Sequence, residues 1–197
     1  LAGVATSGAA VVIMARSPDG PRPPKTRLAG VLPEERDRRR LYAAFLADVV
    51  AGCGMLDGVT VRVAYTEDGG TGGFDVAGVA ATQLMRQRAT DLGDRERGVF
   101  EDLFRGGFSP VVMIGSDLPT LPAERVAEAL DRLRASDDRV VLGPADDGGY
   151  YLIGLAARTD DGAVPDLFTG VRWSTEWARA DTVAAAQRCG LRVDLLG

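Results

Sequence analysis

The stretch Ala9-Ala-Val-Val-Ile-Met-Ala15 is a short, continuous apolar run that is rich in β-branched residues. Such a run is typical of a strand that is buried on both faces, as the central strands of a parallel sheet are. The segment that follows, residues 16–24, holds four prolines and a glycine, so neither a helix nor a sheet ladder can continue there. The sequence therefore predicts a central strand with a stiff loop at its carboxyl end.

Strands and helices alternate along the rest of the chain. Apolar runs predict strands at residues 59–66, 110–115, 139–143 and 150–155, and an edge strand at 191–195. Helical spacing of apolar residues predicts helices from Pro33 to about Gly54, around residues 99–104, from near Pro122, and at residues 175–189. We expect residues 173–175 to cap this last helix, with Trp173 and Trp177 in the core. The alternation favours an α/β fold, a three-layer sandwich with a mostly parallel mixed sheet.

Length and composition place the chain among ordinary globular proteins. Its 197 residues fit one domain covering residues 1–197, with residues 1–8 expected to be a disordered leader. The formal net charge of -5 argues against a nucleic acid as the main partner. No apolar run approaches the ~20 residues of a membrane span, and no signal segment is present at residues 1–15, so we expect a cytoplasmic protein.

The chain contains no histidine and two cysteines. The absence of histidine excludes histidine triads, histidine general bases and imidazole zinc sites. Cys53 and Cys189 are too few for a cysteine-rich metal site, and we expect both to be reduced thiols rather than a disulfide.

Candidate binding residues follow the predicted strands, where ligands bind in parallel α/β sheets. Arg16, Arg22, Lys25 and Arg27 lie in the stiff loop after the first strand, and Lys25 is the only lysine of the chain. Basic side chains on a rigid loop are well placed to bind a di- or triphosphate. The alternative is a solvated basic loop, and composition alone leaves the two interpretations even. The glycine-rich segment 69–73 lacks the spacing of a nucleotide-binding motif, so we expect it to be a flexible surface loop.

Carboxylates follow two of the strands. Asp117 comes directly after the strand at 110–115 and could bind Mg²⁺ or Mn²⁺, or could simply cap a turn. Asp146 and Asp147 stand before Gly148 and Gly149 between two apolar runs, a pattern that also fits an ordinary hairpin turn. If they act in chemistry, at most one of them should face the pocket, because side chains alternate along extended backbone.

Several motifs together resemble a known family. They are Ala15-Arg-Ser-Pro18, Lys25-Thr-Arg-Leu28, Asp91-Leu-Gly-Asp-Arg95, Gly115-Ser-Asp-Leu-Pro119, Gly143-Pro-Ala-Asp-Asp-Gly-Gly-Tyr-Tyr-Leu-Ile-Gly-Leu155 and Leu167-Phe-Thr-Gly-Val-Arg-Trp-Ser-Thr175. In this order they resemble a bacterial glycosyltransferase-like family of the nucleotide-diphospho-sugar transferase superfamily, which has the GT-A fold. Phospholactate and molybdenum-cofactor guanylyltransferases are related to it. The resemblance spans residues 9–195.

The resemblance implies roles for the strand-end residues. Arg16, Lys25 and Arg27 match the basic positions of a loop that wraps the nucleotide phosphates. Asp117 matches a metal-binding aspartate that would hold Mg²⁺ or Mn²⁺. Asp146 and Asp147 match an acidic pair that faces the same pocket and would be catalytic. Gly115-Ser-Asp117 stands where many sugar transferases have Asp-x-Asp, so one carboxylate remains at this position.

Three functions are consistent with these residues. The first is a metal-dependent glycosyltransferase that uses a nucleoside-diphosphate sugar and a small acceptor. The second is a guanylyltransferase-like nucleotidyltransferase, which moves a nucleoside monophosphate from a nucleoside triphosphate to a phosphorylated acceptor. The third is a non-catalytic nucleotide-binding module. The missing Asp-x-Asp slightly favours nucleotidyl transfer, and the family resemblance favours glycosyl transfer.

Overall fold

Strands and helices alternate along the chain in the computed structural model, which describes residues 8–66, 70–159 and 161–197. The strands are β1 (Gly8–Ala15), β2 (Val59–Tyr65), β3 (Leu84–Arg86), β4 (Phe108–Gly115), β5 (Arg139–Pro144), β6 (Tyr150–Leu155) and β7 (Arg192–Leu195). The helices are α1 (Glu35–Gly54), α2 (Leu92–Arg105), α3 (Ala123–Ala135) and α4 (Ala178–Arg188). The predicted leader lies outside the described residues except for Gly8, which begins β1.

The seven strands form one mixed sheet in the order β3-β2-β1-β4-β6-β5-β7. The pairs β1–β2, β1–β4, β2–β3 and β5–β7 are parallel, whereas β6 runs antiparallel to both β4 and β5. This confirms the predicted α/β class and the mostly parallel mixed sheet. Because β6 is reversed, the turn before it lies at the same edge of the sheet as the carboxyl end of β4.

Alternation along β1 divides the core into two layers. Val11 and Ile13 pack in one apolar cluster with side chains of α1 and α3, and Ala10 and Val12 pack in a second cluster with side chains of α2 and α4. All four β1 side chains are fully buried, as expected of a strand that is covered on both faces. Helices therefore cover both faces of the sheet, and the predicted three-layer sandwich is confirmed.

The structure differs locally from the predictions in two places. The three-residue strand β3 was not predicted. The last helix begins at Ala178 rather than at residue 175, and Trp177 is 49% exposed rather than buried in the core. The guanidinium of Arg172 lies over the Trp177 ring, 4.9 Å from its centroid, so the exposed indole is covered by a cation instead of by apolar side chains. Trp173 is partly buried and packs against the core as predicted.

Both cysteines are free thiols. Cys53 is buried within the cluster that α1 forms with the sheet, and this burial raises the pKa of its thiol to about 11. Among the described residues, no helix combines the length and the apolar character needed to cross a bilayer.

Candidate active site

A cleft of about 860 Å³ opens along the carboxyl edge of the sheet. It runs past the residues that follow β1, β2, β3 and β4, the strands of one half of the sheet. Ligand sites in α/β proteins have this location, and their volumes are commonly ~300–1,000 Å³. The cleft is therefore large enough for a nucleotide.

The predicted basic residues meet the predicted metal ligand in this cleft. Arg16, Lys25, Arg27 and Asp117 all line it. Nζ of Lys25 lies 2.9 Å from Oδ1 of Asp117 and 4.9 Å from the centroid of the Phe45 ring. The Lys25 side chain is 15% exposed and that of Asp117 is 62% exposed. The structure thus joins the two loops by an ion pair at the mouth of the cleft.

Lys25 has a left-handed backbone conformation, with a φ of 56°. It precedes a single 3-10 turn at Thr26–Leu28, in which the amide of Leu28 donates to the Lys25 carbonyl. A non-glycine residue in this conformation costs ~1 kcal/mol or more. The strained backbone places the Lys25 side chain against Asp117 and Phe45.

Tyr42 connects the two loops beneath the cleft. Its hydroxyl accepts a hydrogen bond from the Arg16 amide at 2.9 Å and lies 3.1 Å from both the Arg16 carbonyl oxygen and the Ser116 hydroxyl. Burial raises the pKa of Tyr42 above its ordinary value. In the sequence Tyr42 is one residue of the apolar face of a helix, and only its phenol group signals a polar contact.

Gln87 connects three strand ends at the far side of the cleft. It follows β3 and is only 5% exposed. Its Nε2 donates to the carbonyl of Ala15, at 3.2 Å, and to that of Ala64, at 2.6 Å, and its own amide donates to Tyr65. No pattern in the sequence indicates this role, because the partners are main-chain atoms of other strands.

The glycine-rich segment packs against the start of the basic loop. Its described part begins at Gly70, since Gly69 lies outside the described residues. The Ser17 hydroxyl donates to the Gly72 carbonyl at 3.0 Å, and a Cβ on Gly73 would lie 2.9 Å from Cβ of Pro18. Close packing is therefore one reason for glycine at this position.

Asp146 and Asp147 lie outside the cleft lining. Their turn joins β5 to β6 at the sheet edge that also carries Asp117, and both residues are exposed. Oδ1 of Asp147 accepts a hydrogen bond from the Gly149 amide at 2.9 Å, the contact expected of a turn-capping aspartate. The structure thus brings the acidic pair to the predicted edge but not into the cleft beside Asp117.

The conformation and packing of this turn require glycine at position 148. Its φ is 84°, and a Cβ there would lie 2.6 Å from Cα of Glu176. The amide of Arg179, near the start of α4, donates to the Gly148 carbonyl at 3.1 Å. The turn therefore packs directly on the backbone that leads into α4.

A buried carboxyl lies on α2, next in sequence to Arg95 of the cleft lining. Glu96 of α2 is 7% exposed, and Oε2 accepts a hydrogen bond from the Tyr150 hydroxyl at 3.2 Å. Burial raises the pKa of Glu96 to about 8, because a low-dielectric environment disfavours the charged form. Glu96 is therefore a neutral hydrogen-bonding partner for Tyr150 at pH values well below 8.

The donor set constrains how a cation would be held. The described ranges contain no group of three or more His, Cys, Asp or Glu side chains arranged to bind a metal. Asp117 is the single acidic residue of the described cleft lining. This fits a magnesium-like ion that takes one carboxylate from the protein and its other ligands from substrate phosphates and water. It does not fit a cation enclosed by protein ligands.

Comparison with known proteins gives relatives at 30% identity. The 2-phospho-L-lactate guanylyltransferases of two Halobacterium salinarum strains are 30% identical over 179 residues, which cover 89% of this chain and 71% of theirs. A Desulfovibrio desulfuricans crystal structure described as a nucleotide-diphospho-sugar transferase superimposes with a TM-score of 0.83 at 30% identity, covering 97% of this chain and 80% of that one.

More distant similarity concerns the fold alone. The crystal structure of a 4-diphosphocytidyl-2C-methyl-D-erythritol synthase has a TM-score of 0.57 at 12% identity, covering 95% of this chain and 87% of that one.

Residues 49–175 match the family described as "Uncharacterized protein conserved in bacteria (DUF2064)". The chain therefore belongs to the DUF2064 family, within the nucleotide-diphospho-sugar transferase superfamily that its motifs resemble, and it is a transferase.

Proposed function

We propose that the chain is a nucleotidyltransferase that moves a nucleoside monophosphate, GMP in the first instance, from a nucleoside triphosphate to a small phosphorylated acceptor. The observation that carries the proposal is the charge distribution of the cleft. Its described lining has several cationic side chains and one carboxylate, Asp117, which is already paired with Lys25. The relatives at 30% identity that are named guanylyltransferases support the same activity.

This charge distribution favours nucleotidyl over glycosyl transfer. An acceptor hydroxyl that attacks a sugar is commonly assisted by a general base. A phosphate oxygen is anionic at neutral pH and needs no base. Among the described residues, the cleft lining offers no unpaired carboxylate, and the chain has no histidine. Glycosyl transfer, which the family resemblance favoured, is therefore less well supported than its alternative.

In the proposed reaction one phosphorus–oxygen bond forms and another breaks. An oxygen of the acceptor phosphate attacks the α-phosphorus of the nucleoside triphosphate. The bond from that phosphorus to the oxygen bridging the α- and β-phosphates breaks, its electron pair stays on that oxygen, and pyrophosphate leaves. Lys25, Arg16 and Arg27 line the cleft, where they would bind the phosphates and stabilise the charge that develops on the leaving group.

Asp117 is the residue we assign to a divalent cation. We propose that it exchanges Lys25 for Mg²⁺ or Mn²⁺ when the nucleotide enters, and that Lys25 then binds phosphate. The bound cation would supply neutralisation of the phosphate charge. The half-exposed Asp117 carboxylate is accessible for this exchange. Catalytic roles for Asp146 and Asp147 stay a prediction from the sequence, and their turn lies at the edge of the sheet that also carries Asp117.

The experiment is a pyrophosphate-release assay with GTP, Mg²⁺ and 2-phospho-L-lactate, the acceptor of the named relatives. Release should require the acceptor, and it should fall at least ~100-fold, about 2.7 kcal/mol of transition-state stabilisation, in Asp117→Asn. Asp131→Asn, a variant of an exposed carboxylate on α3, is the matched control and should keep full activity.

A parallel assay tests the competing function. The protein is incubated with GDP-mannose and with UDP-glucose, each with a hydroxyl acceptor, and free nucleoside diphosphate is measured. We expect none above the rate of spontaneous hydrolysis. Release of nucleoside diphosphate that depends on the hydroxyl acceptor, without pyrophosphate release from any triphosphate, would replace nucleotidyl with glycosyl transfer.

A further inference from the structure

A second pocket lies against the N-terminal half of α1, outside the cleft. It has a volume of about 400 Å³. Residues of α1 line it together with two loop segments, one at Pro18 and Asp19 and the other from Gly73 to Val76. We call it the α1 pocket. None of its described lining residues belongs to the lining of the cleft, so a molecule bound here would use contacts that the proposed nucleotide site does not.

Contacts within the fold hold the loop segments of the α1 pocket in place. Nη1 of Arg39 donates to the Pro18 carbonyl at 2.6 Å, which ties the start of the first segment to α1. In the second segment, the side chains of Phe74 and Ala77 anchor the chain, since each residue is only 1% exposed. Val76 lies between these two anchors in the sequence. The pocket is therefore preformed, as sites for small molecules usually are.

Much of the lining of the α1 pocket is apolar. Pro18, Ala43 and Gly73 are buried and have no polar side-chain atom. Val76 is 76% exposed. A single exposed valine is ordinary, but this one belongs to a pocket, where an apolar ligand would remove its surface from water. The pocket therefore favours a ligand with an apolar body.

The charges of the lining favour a single negative charge on that ligand. The described lining contains the arginines Arg36, Arg39 and Arg40 and the carboxylates Asp19 and Glu35. Arg39 is paired with Glu35, whose Oε1 lies 2.8 Å from its Nε and 2.7 Å from its Nη2. Two arginines are thus left against one carboxylate. The lining has a surplus of one positive charge, which a monoanion would neutralise.

Arg40 is the cation best placed to bind that anion. It is exposed and makes no hydrogen bond or ion pair within residues 8–66, 70–159 and 161–197. Arg36, in contrast, has an acidic neighbour, with its Nε 3.5 Å from Oδ1 of Asp37. A guanidinium can donate two parallel hydrogen bonds to a carboxylate or sulfonate. Arg40 can therefore bind an anion without breaking an existing contact.

We propose that the α1 pocket is a ligand site for a small organic monoanion with an apolar body. The anionic group pairs with Arg40, and the apolar body lies against Ala43 and Val76. A nucleoside triphosphate fits this site poorly, because its several negative charges would meet the carboxylates of Asp19 and Glu35. The site is additional to the proposed nucleotide site and does not depend on the reaction proposed above.

The first test uses 8-anilinonaphthalene-1-sulfonate as the probe. This dye combines one sulfonate with an apolar aromatic body, and it fluoresces when it is shielded from water. Titration of the unaltered protein should give saturable binding, and the uncharged analogue N-phenyl-1-naphthylamine should bind at least ~10-fold more weakly, about 1.4 kcal/mol. Saturating GTP with Mg²⁺ should leave the dye bound.

Three outcomes of this titration would overturn the proposal. They are the absence of saturable binding, equal affinity for the two dyes, and displacement of the sulfonate dye by GTP. Displacement would place the dye in the cleft and would leave nucleotide binding intact. Failure of the protein to bind GTP would instead overturn the proposed function, and the dye titration would still decide the α1 pocket.

The second test locates the bound dye by substitution. Val76→Asp and Arg40→Gln should each reduce dye affinity by at least ~10-fold, about 1.4 kcal/mol. Both positions are exposed, so the fold should be retained. Val31→Asp and Arg134→Gln are the matched controls, because Val31 is 81% exposed, Arg134 lies on α3, and neither lines the pocket. Unchanged affinity in either pocket variant, or an equal loss in its control, would overturn the proposal.

Discussion

The hydroxyl groups of Tyr42 on α1 and Ser116 after β4 lie 3.1 Å apart, although the two residues are 74 positions apart in the sequence. The Tyr42 hydroxyl also accepts a hydrogen bond from the Arg16 amide. One buried phenol therefore sets the distance between the loop that begins at Arg16 and the loop that holds Asp117. The cleft geometry therefore depends on a residue that does not carry any of the charge.

Tyr42→Phe should destabilise the protein and weaken nucleotide binding. The substitution leaves the Arg16 amide and the Ser116 hydroxyl without their partner, at a cost of ~1–3 kcal/mol in the free energy of unfolding. Urea unfolding and calorimetry measure the two effects. Tyr151→Phe is the control, because the Tyr151 hydroxyl makes no hydrogen bond within the described residues. Equal effects of both substitutions would contradict the bridging role.

Lys25→Gly should separate binding from stability. Glycine accepts the left-handed backbone of residue 25 without strain, which offsets the loss of the ion pair with Asp117. We expect the free energy of unfolding to stay within ~1 kcal/mol of the unaltered protein, while GTP affinity falls by at least ~10-fold. Unchanged affinity would show that the loop does not bind phosphate.

Asp117→Asn should remove the dependence of nucleotide binding on the cation. The amide keeps the shape of the carboxylate but is a poor ligand for Mg²⁺ or Mn²⁺. GTP titrations with and without Mn²⁺ should give the same affinity for the variant and different affinities for the unaltered protein. A variant that unfolds several degrees earlier and still responds to Mn²⁺ would mean that Asp117 is a turn cap.

Gly148→Ala should be far more destabilising than Gly149→Ala. A Cβ at position 148 would overlap the backbone of Glu176 at a φ of 84°, whereas a Cβ at position 149 would meet its nearest atom, Oδ1 of Asp147, at 3.1 Å. We expect a loss of ~2–4 kcal/mol at position 148 and at most ~1 kcal/mol at position 149. Chemical denaturation measures both, and comparable small losses would show that the turn can move away from α4.

Glu96 should make stability dependent on pH. Its pKa is raised by burial from the ordinary 4.5 to about 8, so between these values the folded protein holds a proton that the unfolded chain has released. Stability therefore falls as pH rises through this window, by up to ~1.4 kcal/mol per pH unit, and the fall ends above the folded-state pKa.

Glu96→Gln removes this titration, so comparing its free energy of unfolding with that of the unaltered protein across pH tests the prediction. The free energies of unfolding of the variant and the unaltered protein should diverge as pH rises from about 5 to about 8, with the variant becoming relatively more stable. Parallel curves over that range would mean that Glu96 does not carry a raised pKa.

The parts of the fold that could be predicted are those where local pattern and burial coincide. The run at residues 9–15 is apolar at every position because both faces of β1 are covered, and the ordered motifs identified the superfamily. β3 could not be predicted in this way, because three residues show no periodicity. Trp177 was misassigned because apolar character alone does not reveal that Arg172 covers the indole.

The candidate site was predictable only in its charged residues. Arg16, Lys25, Arg27 and Asp117 follow strands that the sequence reveals, and the sheet brings them together. Gln87 could not be found, because its function in the fold depends on hydrogen bonds to main-chain atoms distant in the sequence.

The position of Lys25 also makes occupancy of the cleft measurable by chemical labelling. It is the only lysine in this chain, and its ammonium lies in the cleft against Asp117. An amine-reactive reagent therefore has a single side-chain target here, and covalent labelling of that target would report directly on whether the cleft is occupied. Ligands that bind the cations would slow the labelling, and ligands that bind elsewhere would leave its rate unchanged.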